Sequence, residues 1–227
     1  MATIDPSELT RVLSITPFLA GASDATLASV ASGARVRNYR RGEFLCRQDE
    51  PGPTVFVVVR GAVKLSAYSS EGDESVLATV HIGQSFGEFA ALDGGTRSAT
   101  AVALSDVYAA TIDGAALRAC LATDPALLDA LLRALVGLAR RATGQRLDLV
   151  FLDVASRLAK ELVERADRLG SSFHLEIGQT DLALLVGGSR QTANQVLRQL
   201  DTEGIISVRG RSVKIIDLEE LRRRCGP

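Results

Sequence analysis

The residues with the clearest chemistry lie in the run Phe-Gly-Glu-Phe-Ala-Ala-Leu-Asp-Gly-Gly-Thr-Arg-Ser-Ala, residues 86–99. Gly87 permits a backbone turn with no side chain in the way, and residues 88–92 can form one helical turn whose free N–H groups attract negative charge. The guanidinium of Arg97 can hold a phosphate through two parallel hydrogen bonds, and Ser98 adds neutral donors beside it. The run therefore predicts a site for a small anion.

Glu88 is the acidic member of this run. Because a carboxylate repels phosphate, Glu88 is expected to accept a hydrogen bond from another part of the ligand, such as a sugar hydroxyl. The run resembles the phosphate-binding cassette of cyclic-nucleotide-binding domains. The resemblance implies that Glu88 holds the ribose 2′-hydroxyl, that Arg97 and Ser98 hold the cyclic phosphate, and that Gly87 and Phe89 complete the site. The alternative is an ordinary surface turn with Arg97 in a solvated ion pair.

A second group of polar side chains lies within residues 178–200, where two short helices are predicted to meet at Gly187-Gly188. Ser189 is expected to cap the second helix. The exposed face of that helix contains no acid and consists of side chains suited to base edges and phosphates: Arg190, Gln191, Asn194, Gln195 and Arg198. The pattern predicts a helix-turn-helix that binds double-stranded DNA. The alternative is a helical hairpin with a solvated face.

Two short apolar segments follow and are predicted to form a small hairpin over residues 205–216. Arg209 and Arg211 lie at its tip, where a wing would contact the phosphate backbone in a sequence-independent and salt-sensitive way. Gln179, at the start of the first helix, and Ser189 complete the predicted DNA-binding residues. The order of these elements predicts a winged helix-turn-helix domain.

The runs Val-Gly-Gly-Ser-Arg-Gln-Thr, from residue 186, and Leu-Asp-Thr-Glu-Gly-Ile-Ile, from residue 200, carry a second resemblance. They are similar to the DNA-binding domain of the cyclic AMP receptor protein and fumarate-nitrate regulator family of bacterial transcription factors. The resemblance implies that Arg190 reads a guanine. Gln191 and Gln195 stand where the family commonly has Glu and Arg. Since glutamine favours adenine, a different target half-site is predicted.

The same resemblance extends to the helix before this domain. Counting back from Phe-Leu-Asp at 151–153, the Thr-Ser pair that contacts the adenine base in the cyclic AMP receptor falls on Ala142 and Thr143. Only Thr143 keeps a hydroxyl, so it is the predicted base contact. Cyclic AMP is the favoured ligand, although Ser98 is compatible with adenine or guanine. The iron-sulfur branch of the family is not favoured, because Cys46 stands alone in the N-terminal half.

These residues must be positioned by an α+β fold. Short helices are predicted over residues 5–34, followed by strands that glycines separate at regular spacing, which is typical of an antiparallel, jelly-roll-like β-roll. Residues 71–73 are predicted to form a hairpin tip. Asp124 is expected to cap a long helix that starts with Pro125, and Asp153 to cap the next helix.

The long helix carries apolar residues at heptad spacing. They predict pairing with a second copy of the chain through these residues: Leu128, Leu131, Leu135, Leu138, Ala142 and Leu149. The alternative is packing of this helix against its own domain. The predicted segments are a cyclic-nucleotide-binding roll at 1–124, a dimerisation helix and hinge at 125–153, and a DNA-binding domain at 154–227.

Composition limits the remaining possibilities. The chain has 227 residues, 46% of them hydrophobic, and a net charge of −1. No apolar run reaches the ~20 residues of a membrane span, and the N-terminus lacks a basic region followed by an apolar core, so a cytoplasmic location is expected. Three separated cysteines indicate reduced thiols, and neither a metal site nor a resident cofactor is predicted.

The function predicted from these patterns is a homodimeric transcription factor that responds to a cyclic nucleotide, with RNA polymerase as a possible further partner. One rival is a transcription factor of the same fold that binds DNA without cyclic nucleotide or responds to another effector. A catalytic or kinase-regulatory role is the second rival. It is not favoured, because no catalytic constellation or nucleotide-hydrolysing loop occurs in the sequence.

Overall fold

The computed structural model describes residues 4–175 and 177–226. The chain divides into two compact units, Met1–Arg140 and Arg141–Pro227. This division falls inside the long helix, which therefore contributes residues to both units. The predicted division into three segments, with residues 125–153 as one of them, stays a prediction.

Short helices flank and interrupt the strands of the first unit. They are α1 (Pro6–Ile15), α2 (Asp24–Gly33), α3 (Glu88–Asp93) and α4 (Gly114–Thr123). The strands are β1 (Arg35–Tyr39), β2 (Phe44–Cys46), β3 (Thr54–Arg60), β4 (Val63–Tyr68), β5 (Glu74–Val80), β6 (Ser85–Phe86), β7 (Thr100–Ala103) and β8 (Val107–Asp113).

These strands form two antiparallel four-stranded sheets, with the orders β1-β8-β3-β6 and β2-β7-β4-β5. One apolar core lies between the sheets, where the rings of Phe56 and Phe86 stack with centroids 4.8 Å apart. A second core lies between the first sheet and the helices. The roll predicted from the spaced glycines is confirmed.

Strand β3 connects the two cores. Val55, Val57 and Val59 belong to the core under the helices, whereas Phe56 and Val58 belong to the core between the sheets. Successive side chains of a strand point to opposite faces, so a strand that is covered on both sides must be apolar at every position. This requirement explains the unbroken run Val-Phe-Val-Val-Val.

The long helix, α5 (Pro125–Phe151), packs one side against its own domain. Leu127 and Leu131 lie in the core under the helices, and Leu135 packs against that core. Leu131 is only 5% exposed, so its main contacts are with its own domain. The alternative interpretation, packing against the helix's own domain, therefore holds for this face of the helix.

The outward side of α5 is also apolar. Leu128, Leu132 and Val136 are 43%, 53% and 53% exposed. A helix with two apolar sides fits more than one heptad register. The spacing of its apolar residues therefore does not show which side packs against its own domain and which side stays exposed. The interface roles of the predicted residues stay predictions: Leu128, Leu131, Leu135, Leu138, Ala142 and Leu149.

The second unit combines helices with a small sheet. Its elements are α6 (Val154–Leu169), β9 (Ser172–His174), α7 (Gln179–Leu185), α8 (Arg190–Thr202), β10 (Ile206–Arg209), β11 (Ser212–Ile215) and α9 (Leu218–Arg223). The sheet has the antiparallel order β10-β11-β9. Asp153 caps α6 by accepting the amide of Ser156 at 2.7 Å. The predicted winged helix-turn-helix is confirmed.

Within the described ranges, no helix has both the length and the apolar character that crossing a membrane requires. The same ranges contain no group of three or more His, Cys, Asp or Glu side chains arranged to hold a metal ion. Cys46, Cys120 and Cys225 are free thiols.

Asp124 ties two helix starts together in the first unit. Its Oδ1 accepts the amides of Ala126 and Leu127, each at 3.1 Å, and so caps α5 as predicted. Its Oδ2 accepts the hydroxyl of Thr26 at 2.6 Å and both the amide and the hydroxyl of Ser23, at 3.0 and 2.9 Å. These donors, with Thr26 foremost, hold the pKa of Asp124 well below its usual range.

The substitution Asp124→Asn should lower thermal stability at pH 7, because an amide offers one acceptor oxygen in place of two. The folded carboxylate has a depressed pKa, so its contribution is full above the ordinary carboxyl pKa of about 4 and declines as the pH falls further. Thermal unfolding should show a larger difference between variant and wild type at pH 7 than at about pH 3. Asp129→Asn, at an exposed ion pair with Arg133, is the control and should change stability little. Equal differences at both pH values would contradict this role.

Candidate functional site

Arg97 is buried in the first unit, with 4% of its surface exposed. Its Nη1 donates to the carbonyl of Gly87 at 2.8 Å, and its Nη2 donates to the hydroxyl of Thr54 at 3.0 Å. The guanidinium carbon lies 5.1 Å from the ring centroid of Phe56. The structure thus brings Arg97 and Gly87 together, as predicted, and adds Thr54 and Phe56, which the sequence did not indicate.

The backbone on both sides of Arg97 is held by the loop before β3. The amide of Arg97 donates to the carbonyl of Glu50, and the amide of Asp49 donates to the carbonyl of Arg97, both at 2.8 Å. Asp49 has a φ of 66°, and no other non-glycine residue of the described chain has a positive φ. Such a conformation persists only where surrounding contacts enforce it, and here it lets the loop pair with residue 97.

Two glycines allow the guanidinium to lie flat against the backbone. A Cβ on Gly52 would lie 2.6 Å from Arg97 Nε and 2.7 Å from the Cβ of Ala90, and a Cβ on Gly87 would lie 2.2 Å from Arg97 Nη1. Gly87 also has a φ of 82°. From the sequence, Gly52 is one of the regularly spaced glycines that separate the predicted strands. The structure shows that close approach is the reason for glycine at this position.

The electrostatics of Arg97 favour an incoming anion. Its Nε is buried and has no hydrogen-bond partner among the described residues. Burial lowers the pKa of Arg97, and the nearby Cys46, Glu88 and Glu50 act in the opposite direction. An arginine stays protonated in proteins, so the site holds a desolvated positive charge whose direct hydrogen-bond acceptors are neutral.

The other predicted ligand residues differ in their exposure and in the element that carries them. Helix α3 begins at Glu88 directly after Gly87, and the side chain of Glu88 is half-buried. Phe89 is 48% exposed on the same helix. Ser98 is exposed next to Arg97. Thr143 lies on α5 in the second unit, and its contact with a base stays a prediction.

The second predicted site is built on α7 and α8. Ser189 caps α8 by accepting the amide of Thr192 at 3.0 Å, as predicted. Ala193, Leu197 and Leu200 form the buried stripe of α8. The turn between the helices contains Gly187, which has a φ of 65°.

A cavity with a volume of about 380 Å³ lies on the polar face of α8. It is lined by Gln191, Asn194, Gln195 and Arg198. Gln179, Ser189 and Arg190 are also exposed. Among the described residues, no carboxylate forms an ion pair with Arg190 or Arg198. The face therefore keeps its positive charge and its hydrogen-bonding groups for a ligand.

The arginines of the wing and those of the C-terminal helix α9 differ in whether they form ion pairs. Arg209 and Arg211 are exposed around the turn at Gly210, and no ion pair involves them in residues 4–175 and 177–226. By contrast, the arginines of α9 and its cap are paired locally: Arg222 with Asp167, Arg223 with Glu220, and Arg224 with both Glu203 and Glu220. The arginines of α8 and the wing therefore differ from those of α9 in having, within the described part of the chain, no carboxylate that neutralises them.

Comparison with known proteins identifies the same two domains. Residues 36–124 match the family model of the cyclic nucleotide-binding domain, and residues 156–224 match that of the Crp-like helix-turn-helix domain. The chain is 31% identical over 220 residues to the CRP-like cAMP-activated global transcriptional regulator of Mycobacterium tuberculosis, covering 94% of this chain and 98% of that protein. It is 28% identical over 202 residues to the cAMP-activated global transcriptional regulator CRP of Escherichia coli, covering 85% and 95%.

Solved structures show the same likeness. FixK2 from Bradyrhizobium japonicum superposes with a TM-score of 0.79 at 25% identity, covering 86% of this chain and 98% of that one. The c-di-GMP responsive global regulator CLP of Xanthomonas campestris superposes with a TM-score of 0.72 at 25% identity, covering 85% and 99%.

The charge distribution predicts unequal effects of arginine substitutions on DNA binding. Arg190→Ala should weaken binding by about 1–3 kcal/mol and relax the preference at one base position, because it removes the predicted base-edge contact. Arg211→Ala should weaken binding to all sequences similarly and reduce the slope of log affinity against log salt by about one, because it removes the predicted phosphate contact. Fluorescence anisotropy across a salt series measures both effects.

Arg223→Ala is the matched control, because Arg223 is exposed but already paired with Glu220 at 2.7 Å. It should leave both the affinity and the salt slope close to wild type. A loss equal to that of Arg211→Ala would show that local pairing does not decide which arginines contact DNA.

Proposed function

The chain belongs to the family of Crp-like transcription regulators, with a cyclic nucleotide-binding domain followed by a DNA-binding helix-turn-helix domain, and we propose that it is a homodimer whose affinity for DNA is controlled by cyclic AMP. The Mycobacterium tuberculosis and Escherichia coli relatives are transcriptional regulators rather than enzymes. The proposal concerns the identity of the nucleotide, the assembly and the residues that carry each contact.

The observation that carries the proposal is the buried guanidinium of Arg97. It is held by a carbonyl and a hydroxyl rather than by a carboxylate, and its Nε has no partner among the described residues. A buried charge of this kind is unfavourable unless a counter-charge arrives. A cyclic phosphate supplies that charge, Ser98 supplies a further donor, and Glu88 can accept the ribose hydroxyl.

The choice of cyclic AMP is supported by the names of the relatives. The Mycobacterium tuberculosis and Escherichia coli proteins are both described as cAMP-activated. The Xanthomonas campestris protein is described as c-di-GMP responsive. Proteins of this fold thus respond to more than one nucleotide, and cyclic AMP is favoured because the relative with the higher identity responds to it.

Homodimerisation is supported by the outward side of α5. Leu128, Leu132 and Val136 recur at intervals of four residues and are each roughly half exposed. A second copy with the same stripe would cover them, and the two recognition helices could then reach major-groove positions about 34 Å apart. Ligand control of such a dimer is typically worth about 1–3 kcal/mol per coupled pair of sites.

The cytoplasm is the proposed location, because a bacterial transcription regulator must reach the chromosome there. RNA polymerase stays a predicted partner, and the DNA contacts of α8 and the wing belong to the same proposal.

The dimer face can be tested by Leu132→Glu. Burying a leucine is worth about 1.5–3 kcal/mol and the dimer contains two copies, so dimerisation should weaken by about a hundredfold or more. Sedimentation equilibrium should shift from the dimer mass to the monomer mass. Leu77→Glu, on β5 at 42% exposure, is the control and should stay dimeric. Identical behaviour of the two variants would rule out this side of α5 as the interface.

Calorimetric titration with cyclic AMP, and with cyclic GMP as competitor, tests the ligand site. Wild type should bind cyclic AMP saturably, and Arg97→Met should abolish binding. The same variant should not lower the melting temperature of the ligand-free protein, because it replaces a buried charge by an apolar chain of similar length.

Gly52→Ala should weaken binding by about tenfold or more, because its Cβ displaces Arg97 from its place. Gly33→Ala is the control, since a Cβ there meets no atom within 4 Å.

If neither nucleotide binds to wild type, the effector is a different molecule or DNA binding is constitutive.

A further inference from the structure

Arg157, in the first turn of α6, connects the ends of two other helices. Its Nη1 donates to the carbonyl of Leu152, just past the end of α5. Its Nε donates to the carbonyl of Val186 at 2.7 Å, and its Nη2 donates to the carbonyl of Gly187 at 3.2 Å. One side chain thus binds the end of α5 and the turn that precedes the recognition helix α8.

The carbonyls that Arg157 binds are those that helices leave without partners. The last carbonyls of an α-helix lack intrahelical donors, and together they carry a partial negative charge. Leu152 directly follows α5, and Val186 directly follows α7. A single planar guanidinium satisfies both ends, and its rigid fork fixes the distance and angle between them.

The turn is also packed directly against the segment that contains Leu152. A Cβ on Gly187 would lie 2.8 Å from Leu149 Cδ2, and a Cβ on Gly188 would lie 2.7 Å from Val154 Cγ1. These glycines therefore allow backbone to pack against the side chains of residues 149–154. With this close packing, the turn has little room to slide while the Arg157 bonds stay intact.

We propose that Arg157 is the positioning residue that couples the end of α5 to the recognition helix. A displacement of the carbonyl of Leu152 must either break a hydrogen bond of Arg157 or carry the carbonyls of Val186 and Gly187 with it. Since α8 begins three residues after Gly187, the recognition helix then follows the end of α5. The proposal rests on the proposed function, in which ligand bound in the first unit changes DNA affinity through α5.

Lys160 provides a matched control on the same helix. Its Nζ pairs with Asp148 on α5 at 2.6 Å, so it also ties α6 to α5. Neither its ion pair nor its hydrogen bond involves the turn before α8. Removing Lys160 therefore weakens the attachment of α6 to α5 and leaves the bonds of Arg157 to the turn in place.

The test uses the full-length variants Arg157→Gln, Arg157→Lys and Lys160→Met. DNA affinity is measured with and without saturating cyclic AMP, on a duplex that the wild-type protein selects from a random pool. Arg157→Gln should reduce the ligand-induced gain in affinity by about tenfold or more, within the 5- to 150-fold range typical of such coupling. Arg157→Lys should retain part of the gain, because an ammonium can still bind a carbonyl. Lys160→Met should keep the wild-type gain.

An equal loss of affinity with and without ligand in Arg157→Gln would show a purely structural role and overturn the proposal. A matching loss of the gain in Lys160→Met would overturn it as well, since any tie between the helices would then suffice.

Hydrogen exchange of the ligand-free proteins separates failure of this proposal from failure of the proposed function. If wild type shows no response to cyclic AMP, the proposed ligand control fails, and the coupling is judged by exchange alone. Arg157→Gln should then accelerate exchange of the amides of Gly187 and Gly188 relative to both wild type and Lys160→Met. Unchanged exchange in this turn would overturn the coupling.

Discussion

A guanidinium buried among neutral acceptors is the constraint around which the first unit is arranged. Arg97 reaches the carbonyl of Gly87 and the hydroxyl of Thr54 only because Gly52 and Gly87 leave space beside it. Backbone hydrogen bonds between the loop before β3 and residue 97 hold the strained conformation of Asp49 in place. This arrangement is unfavourable for the ligand-free protein, and it becomes favourable when an anion arrives. The fold therefore maintains a poised site at some loss of stability.

The second unit uses arginine in a related way for a different purpose. Arg157 also donates to carbonyls rather than to a carboxylate, but its acceptors are helix ends that need donors. The Nε donor of Arg97 thus has no acceptor among the described residues. The side chain of Arg157, by contrast, donates both to the end of α5 and to the turn before α8. The arginines of α9 show a third arrangement, in which neighbouring acids neutralise them. The acceptors that surround an arginine therefore decide whether it can bind a ligand, whether it joins two helices, or whether it only forms a surface ion pair.

The same dependence explains where sequence interpretation succeeded and failed. Helix caps at Asp124, Asp153 and Ser189 were predictable, because capping involves residues only a few positions apart. The side of α5 that faces its own domain was not predictable from spacing. The helix is apolar on two sides, and the place of Leu131 in the domain core depends on what packs there.

Residue type and spacing were sufficient to indicate the roll, the winged helix-turn-helix, the pairing of Gly87 with Arg97, and the acid-free face of α8, because these features are encoded over short stretches of chain. The tertiary structure alone revealed Thr54, Phe56 and the close approach of Gly52 at Arg97, and the contact of Arg157 with residues 152, 186 and 187. Apart from the bond of Arg157 to residue 152, which is five positions away, these contacts join positions about 30 to 45 residues apart in the chain. Local sequence patterns do not predict such partners. The burial of each arginine and its hydrogen-bond acceptors arise only when distant segments of the chain pack together.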